Sequence, residues 1–214
     1  MPWRERTSED LVRAAMADGV RDSRLLAALR AVPRAGFVPV ELAGRAYADE
    51  PLPIPHEQVT TQPSLVAKMV EALALTGNER VLEVGTGYGF QTALLGRLAR
   101  SVWSIERYPD VARTARAQLA RYGARNVEVV VGDGSLGLEQ HAPFDAILVS
   151  AAFPSVPDPL ARQLALAGRL IQPIGSGGNE DVVLFVREQE GLVRRRVVSA
   201  ARFVRLYGAH GFPG

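Results

Sequence analysis

A chain of 214 residues, 47% hydrophobic and free of low-complexity tracts, is long enough for one well-packed domain and short for two. Its formal charge of +2 rests almost wholly on arginine, Lys68 being the one lysine, and a solvated surface accounts for that without invoking nucleic acid. The absence of cysteine excludes disulfides, zinc–thiolate sites and thiol nucleophiles, and no apolar run approaches the ~20 residues that cross a bilayer.

In chain order, 8–18 reads as a helix capped by Ser8 and stopped at Gly19, and 23–31 as a second helix ended before Pro33. From 33 to 63 the prolines Pro39, Pro51, Pro53, Pro55 and Pro63 forbid a single regular element. A loop of that length inside a domain is usually functional, so it is expected to wall the active site. The alternation is then regular: helix 64–75, strand 80–84, helix 90–99, strand 101–105, helix 110–122, strand 127–131, a short helix near 135–140, strand 145–149, helix 157–166 and strand 168–173. After Gly175-Ser176-Gly177-Gly178, strands 181–187 and 192–203 flank a turn at Gly191. Arg194, Arg195 and Arg196 on the second read as a charged edge that resists strand pairing.

The expected fold is α/β: a Rossmann-like, mostly parallel, doubly wound sheet with an N-terminal helical segment and a C-terminal antiparallel hairpin. Residues 1–214 form a single domain in this reading. Helices and a substrate-side loop occupy 1–63, a cofactor-binding core 64–175, and the hairpin and tail 176–214.

The turn Glu83-Val84-Gly85-Thr86-Gly87-Tyr88-Gly89, between a strand and a helix opening at Phe90-Gln91, has the form of a nucleotide-type cradle. Its pattern is G-x-G-x-G, not the G-x-G-x-x-G of dinucleotide enzymes. Glu83, two residues before the first glycine, would repel a pyrophosphate but suits a ligand carrying an ammonium and a sulfonium. S-adenosylmethionine is such a ligand, with S-adenosylhomocysteine as its product. Glu106, ending the next strand, is placed to accept ribose hydroxyls, and Asp133 in Gly132-Asp133-Gly134 to form an adenine corner; for both acids a capping role is the structural alternative. Ser150, Ala151 and Ala152 end a further strand with small side chains that leave room for a ligand. The cofactor set is therefore Glu83, Gly85, Thr86, Gly87, Gly89, Gln91, Glu106, Arg107, Asp133 and Gly134.

The segment Leu52-Pro53-Ile54-Pro55-His56-Glu57-Gln58-Val59-Thr60-Thr61-Gln62-Pro63, the glycine turn, Gly132-Asp133-Gly134, Ala142-Pro143-Phe144-Asp145-Ala146-Ile147 and Arg202-Phe203-Val204 together resemble the protein-L-isoaspartate O-methyltransferases. The likeness extends upstream through Ala31-Val32-Pro33-Arg34 and Phe37-Val38-Pro39. It implies transfer of the S-adenosylmethionine methyl to the free α-carboxylate of L-isoaspartyl residues in damaged proteins or peptides, after which the ester closes to a succinimide whose hydrolysis partly restores aspartate. A carboxylate with an ordinary pKa of roughly 4 is already ionised at neutral pH, so alignment matters more than a general base. The resemblance makes Thr61, where the family usually carries serine, the catalytic candidate. It makes Ile54, His56, Gln58, Thr60, Thr61, Ala151 and Val204 the substrate-binding set. His56 also reads as a structural histidine bonding nearby backbone, and His141 and His210 as surface residues. Val59 stands where the family usually has threonine, Pro55 and Glu57 where it has glycines, and Arg205 where it has proline.

Two other readings stay open: a related carboxyl methyltransferase dedicated to one peptide partner, and an S-adenosylmethionine-binding protein without transfer. The expected partners are isoaspartyl proteins or peptides, with no nucleic acid, no membrane and no metal. Residues 1–10 are charged instead of signal-like, so a cytoplasmic protein is expected; a monomer is expected too, although nothing in the sequence sets the oligomeric state.

Overall fold

The computed structural model describes residues 6–213; residues 1–5 of the charged N-terminal stretch and Gly214 lie outside them. Two amphipathic helices, Ser8–Ala17 (α1) and Ser23–Ala31 (α2), bury Leu11, Val12 and Ala15 from one and Leu25, Leu26, Ala28 and Leu29 from the other. Thr7, not Ser8, precedes the first turn, and its N–H bonds the Asp10 carboxylate at 2.8 Å. Asp22 caps α2 by accepting the Arg24 and Leu25 amides.

The proline-dense stretch is ordered. Two 3₁₀ turns, Arg34–Phe37 and Val40–Arg45, lead to an antiparallel hairpin, Leu52–Ile54 (β1) and Gln58–Thr60 (β2), with Leu52 opposite Thr60. Proline density hides this hairpin because two of its prolines fall where they do little harm, Pro53 in a short two-stranded ribbon and Pro55 opening the turn. His56 and Glu57 both take left-handed backbone, with φ of 62° and 57°. Such a conformation costs a side-chain-bearing residue about 1–2 kcal/mol, so contacts elsewhere must hold the turn.

Arg34 supplies much of the order. Its side chain is fully buried, and its two terminal nitrogens donate to Ala46 O, Ala48 O and Glu50 O at 3.0 Å, to Thr60 Oγ1 at 2.9 Å and to Thr61 O at 3.4 Å. Burial lowers its pKa to about 10, partly opposed by the charges of Asp49 and Glu50, so the group stays cationic at neutral pH. Asp49 then receives the Ser64 amide and the Gln62 side chain, both at 2.8 Å, at the start of helix Pro63–Ala72 (α3), whose first residue is a proline already set for helical φ.

The core follows as Arg80–Val84 (β3), Phe90–Leu98 (α4), Ser101–Glu106 (β4), Pro109–Arg121 (α5), Val127–Val131 (β5), Phe144–Val149 (β6), Asp158–Gln163 (α6), Leu164–Ile174 (β7), Glu180–Glu188 (β8) and Gly191–Ala201 (β9). The strands form one seven-stranded sheet in the order β5-β4-β3-β6-β7-β8-β9, parallel from β5 to β7 and antiparallel over the last two pairs. Successive residues alternate between two cores: Val81, Ala146 and Leu148 join the one built by α1 to α5, and Leu82, Ile147 and Val149 join the one under α6. The chain winds from β3 out to β5 and then returns to the other side of β3. A crevice therefore opens at the carboxyl ends of β3 and β6, the switch point where such sheets bind ligands.

Two expectations shift. The helix expected over 157–166 stops at Gln163, and the strand begins at Leu164, four residues early. Leu164 pairs with Phe144 and Arg169 with Ala146, and the surplus residues bulge around Ala167 at φ 61°. Burial of Leu164 and Leu170 in the second core outweighs the local helical preference of Leu-Ala-Leu-Ala. The short helix near 135–140 is two 3₁₀ turns, Gly134–Leu136 and Glu139–His141, parted by Gly137 at φ 67°.

Replacing Arg34 by methionine leaves four carbonyls and the Thr60 hydroxyl without their donor. The expected cost is about 3 kcal/mol, or a melting temperature lower by about 6–12 °C. An unchanged thermal transition would show that the loop is held by other contacts.

Candidate active site

A cavity of about 370 Å³ fills the crevice, within the range of small-ligand pockets. Its floor is the glycine turn. Gly85, at φ 95°, lies so close to β6 that a side chain there would meet Ser150 Cβ at 3.3 Å. The Gly87 amide donates to Glu106 Oε2 at 2.9 Å, and Gly89 begins α4 in left-handed backbone.

Under the floor lies a closed polar network. Glu83 is fully buried and accepts from Gln91 Nε2 at 2.9 Å and from the Thr92 and Ser104 hydroxyls at 2.5 Å. Ser104 also bonds Thr86 at 2.5 Å. Desolvation, reinforced by the nearby Glu106 charge, pushes the Glu83 carboxyl up to about 7 against the three donors that favour its ionised form. Gln91 borders the cavity, donates to Glu83 and Ser150, and has a buried Oε1 with no partner. At the rim, Glu106 is 7% exposed and takes the Gly87 and Tyr108 amides. Burial raises its pKa against those bonds and the Arg107 charge.

The roof is the β1–β2 hairpin. Ile54, Gln58, Thr60 and Thr61 border the cavity; the Thr60 hydroxyl accepts from Arg34, whereas the Thr61 hydroxyl bonds no described residue. His56 stacks on Tyr108 with ring centroids 4.0 Å apart and planes 4° from parallel, and its Nε2 lies 3.0 Å from both Asp110 oxygens. That hydrogen bond holds the Asp110 carboxyl below its ordinary value. The outer wall is the segment after β9: Val204 O accepts the Ala152 amide and Ala152 O the Leu206 amide, both at 2.8 Å. Arg107 lies 5.2 Å from the ring centres of Tyr108 and Tyr207.

Fourteen positions singled out in the sequence meet at this cavity: Ile54, Gln58, Thr60, Thr61, Gly85, Thr86, Gly87, Gly89, Gln91, Glu106, Arg107, Gly134, Ala151 and Val204. Three do not border it. Glu83 lies below, behind Gln91. Asp133 sits in the capping position of a 3₁₀ turn, its carboxylate taken by the Ser135 amide and hydroxyl and by the Ala209 amide at 2.7 Å, so it ties down the tail. His56 borders a neighbouring groove, and its ring partners are Tyr108 and Asp110, not backbone. Of the other histidines, His141 stacks on Trp103 at 4.9 Å, while His210 is exposed.

Sequence reasoning gave no role to Arg34, Asp49, Thr92, Ser104, Tyr108 or Asp110. The available signals were a lone cation in the apolar stretch Val32-Pro33-Arg34-Ala35, and Tyr108-Pro109-Asp110 directly after the rim acid. Among the described residues no group of three or more His, Asp or Glu could hold a metal, and no helix is long and apolar enough to cross a membrane.

A family model described as protein-L-isoaspartate(D-aspartate) O-methyltransferase matches residues 6–211. A protein-L-isoaspartate O-methyltransferase of Geobacter metallireducens is 46% identical over 194 residues, 91% of this chain and 90% of the relative. Another, of Anaeromyxobacter dehalogenans, is 50% identical over 190 residues, 88% of this chain and 91% of the relative. A solved protein-L-isoaspartate O-methyltransferase superposes on 96% of this chain and 67% of its own, with a TM-score of 0.84 and 29% identity.

Because the Glu83 pKa is raised on folding, the native state keeps a proton that the unfolded chain releases above about 4.5. Its contribution is full below that value and is lost as pH rises to about 7. In urea unfolding between pH 4 and 8, the ligand-free protein should therefore lose about 3 kcal/mol relative to Glu83→Gln. A gap independent of pH would mean that Glu83 titrates as an ordinary carboxyl.

Proposed function

The chain belongs to the protein-L-isoaspartate O-methyltransferase family and is an S-adenosylmethionine-dependent methyltransferase of isoaspartyl residues; within that activity we propose the following roles for its residues. The crevice holds the cofactor. The residues present suit it: Gln91 offers an unpaired buried acceptor backed by Glu83, and Glu106 offers a second, an acceptor set matched to a cationic ligand bearing hydroxyls. Gly85, Thr86, Gly87, Gly89, Arg107 and Gly134 complete its surroundings. When bound, the cofactor supplies a methyl group made electrophilic by the sulfonium that carries it.

Thr61 positions the isoaspartyl carboxylate by donating its free hydroxyl. Ile54, Gln58, Thr60, Ala151 and Val204 border the substrate side, and His56 acts indirectly by clasping the hairpin to Tyr108 and Asp110. No histidine borders the cavity, which suits a nucleophile that is already ionised and needs no base. The β1–β2 hairpin over the cavity would limit water around the substrate carboxylate and the cofactor's methyl group.

We further infer that residues 1–214 act as one domain, as a monomer in the cytoplasm, on proteins and peptides and not on nucleic acid or membranes. The core that joins α1 and α2 to the sheet supports a single unit. Exposed edge strand β9 carries Arg194 paired with Asp181 and Arg195 paired with Glu188, which discourages strand-to-strand association. A chain without cysteine needs no oxidising compartment.

The carrying observation is the meeting of the unbonded Thr61 hydroxyl and the Gln91 and Glu106 acceptors at one cavity. Labelled methyl should pass to an isoaspartyl peptide and not to its aspartyl twin. Thr61→Ala should lower kcat/KM about 10- to 100-fold, the worth of one hydrogen bond to a charged group. Full activity in that variant would remove Thr61 from the reaction, and equal labelling of the twins would remove the isoaspartyl selectivity.

A further inference from the structure

Beside the cavity lies a groove of about 810 Å³ that shares with it Gln58, Arg107, Tyr108, residues 202–205 and Tyr207. The turn at His56-Glu57, the loop at Gly177-Gly178 and the segment after β9 enclose it. Three guanidinium groups line it, those of Arg107, Arg202 and Arg205, all exposed. Among the described residues none of the three has a carboxylate within salt-bridge distance, whereas Arg13, Arg30, Arg45, Arg194 and Arg195 each have one. Glu57, on the exposed turn, is the one acid on the lining, and His56 is engaged by Asp110 outside it.

Two of the cations are braced. Arg205 lies over the Phe212 ring at 5.1 Å and Arg107 between two tyrosines, which lowers the entropy lost when such long side chains meet a ligand. Arg202 has no hydrogen bond or ring contact to any described residue. Three cations without a salt bridge, against one acid on the lining, make a field where the groove meets the cavity that attracts anionic groups on whatever enters.

We propose that the groove is a subsite for the polypeptide flanking the methylated residue, and that Arg107, Arg202 and Arg205 make the enzyme favour segments with aspartate or glutamate close to the damaged position. The proposal rests on the isoaspartyl reading of the adjoining cavity. Binding outside the reacting carboxylate acts alike on ground state and transition state, so the preference appears in KM more than in kcat.

The test uses isoaspartyl peptides of equal length with two glutamates before the site, two after it, neutral flanks or lysine flanks. At low salt the better glutamate peptide should exceed the neutral one in kcat/KM by about fivefold, as two modest ion pairs allow. The ratio should fall below about twofold near 0.5 M salt, where charges are screened. Arg202→Ala with Arg205→Ala should bring the ratio towards one, Arg205→Glu should shift preference to the lysine peptide, and Arg205→Lys should retain it. Arg202→Ala alone keeps the test open should changes at Arg205 disturb folding. Equal use of glutamate and neutral peptides at low salt, or a preference that survives the double variant, overturns the proposal. Failure of the adjoining reading looks different: the wild type would then not methylate the neutral isoaspartyl peptide above its aspartyl twin.

Discussion

A guanidinium taken out of water must find its donors' partners inside the protein, and the two terminal nitrogens of Arg34 find theirs along one piece of chain, while its buried Nε has none. Ala46, Ala48, Glu50, Thr60 and Thr61 all receive its hydrogens. Residues 34–61 have little backbone ladder of their own, so their carbonyls would otherwise lack fixed partners. The buried cation organises them from within. Because the bonds reach Thr60 and Thr61, the same group that folds the loop also sets the roof over the cavity, and loop order and site geometry become one constraint.

The three acids at the ends of parallel strands show how equal positions in a pattern diverge in three dimensions. Glu83 points beneath the floor, where desolvation brings its proton affinity near neutrality and Gln91 relays its influence upward. Glu106 remains at the rim, oriented by two amides. Asp133 is turned away to hold Ser135 and Ala209; burial opposes its charge, yet those bonds leave its pKa lowered, and Gly208 lies so close that a side chain there would strike the carboxylate. The sheet supplies three acids to one edge, and their separate hydrogen-bond donors divide the work among floor, rim and tail.

The roof depends on distant contacts for a local reason. His56 and Glu57 occupy left-handed backbone without being glycine, so the turn stores strain that its own short ladder cannot offset. The stacking of His56 on Tyr108 and its bond to Asp110 tie the turn to the start of α5, directly after the rim acid. The same turn borders the arginine-lined groove, so the hairpin stands between the cofactor side and the flanking peptide.

The sequence alone determined the alternating α/β order, the glycine turn at the end of β3, the acid at the end of β4 and the family likeness spanning the proline-flanked segment. These rest on local periodicity and short spacing, which a linear chain displays directly. It also singled out fourteen of the residues that border the cavity, because residues at strand ends converge once the sheet is parallel. Tertiary structure alone decided that 52–60 is a hairpin, that Leu164 leaves helix for strand, that Asp133 serves the tail and that Arg34 is the centre of the loop. Each of these is settled by partners far away in the chain: Arg34 by carbonyls up to 27 residues on, Asp133 by an amide 76 residues away, and Leu164 by Phe144 across the sheet. Burial and hydrogen bonding at such distances leave no period in the sequence, since their free energy exists only after the chain has closed on itself.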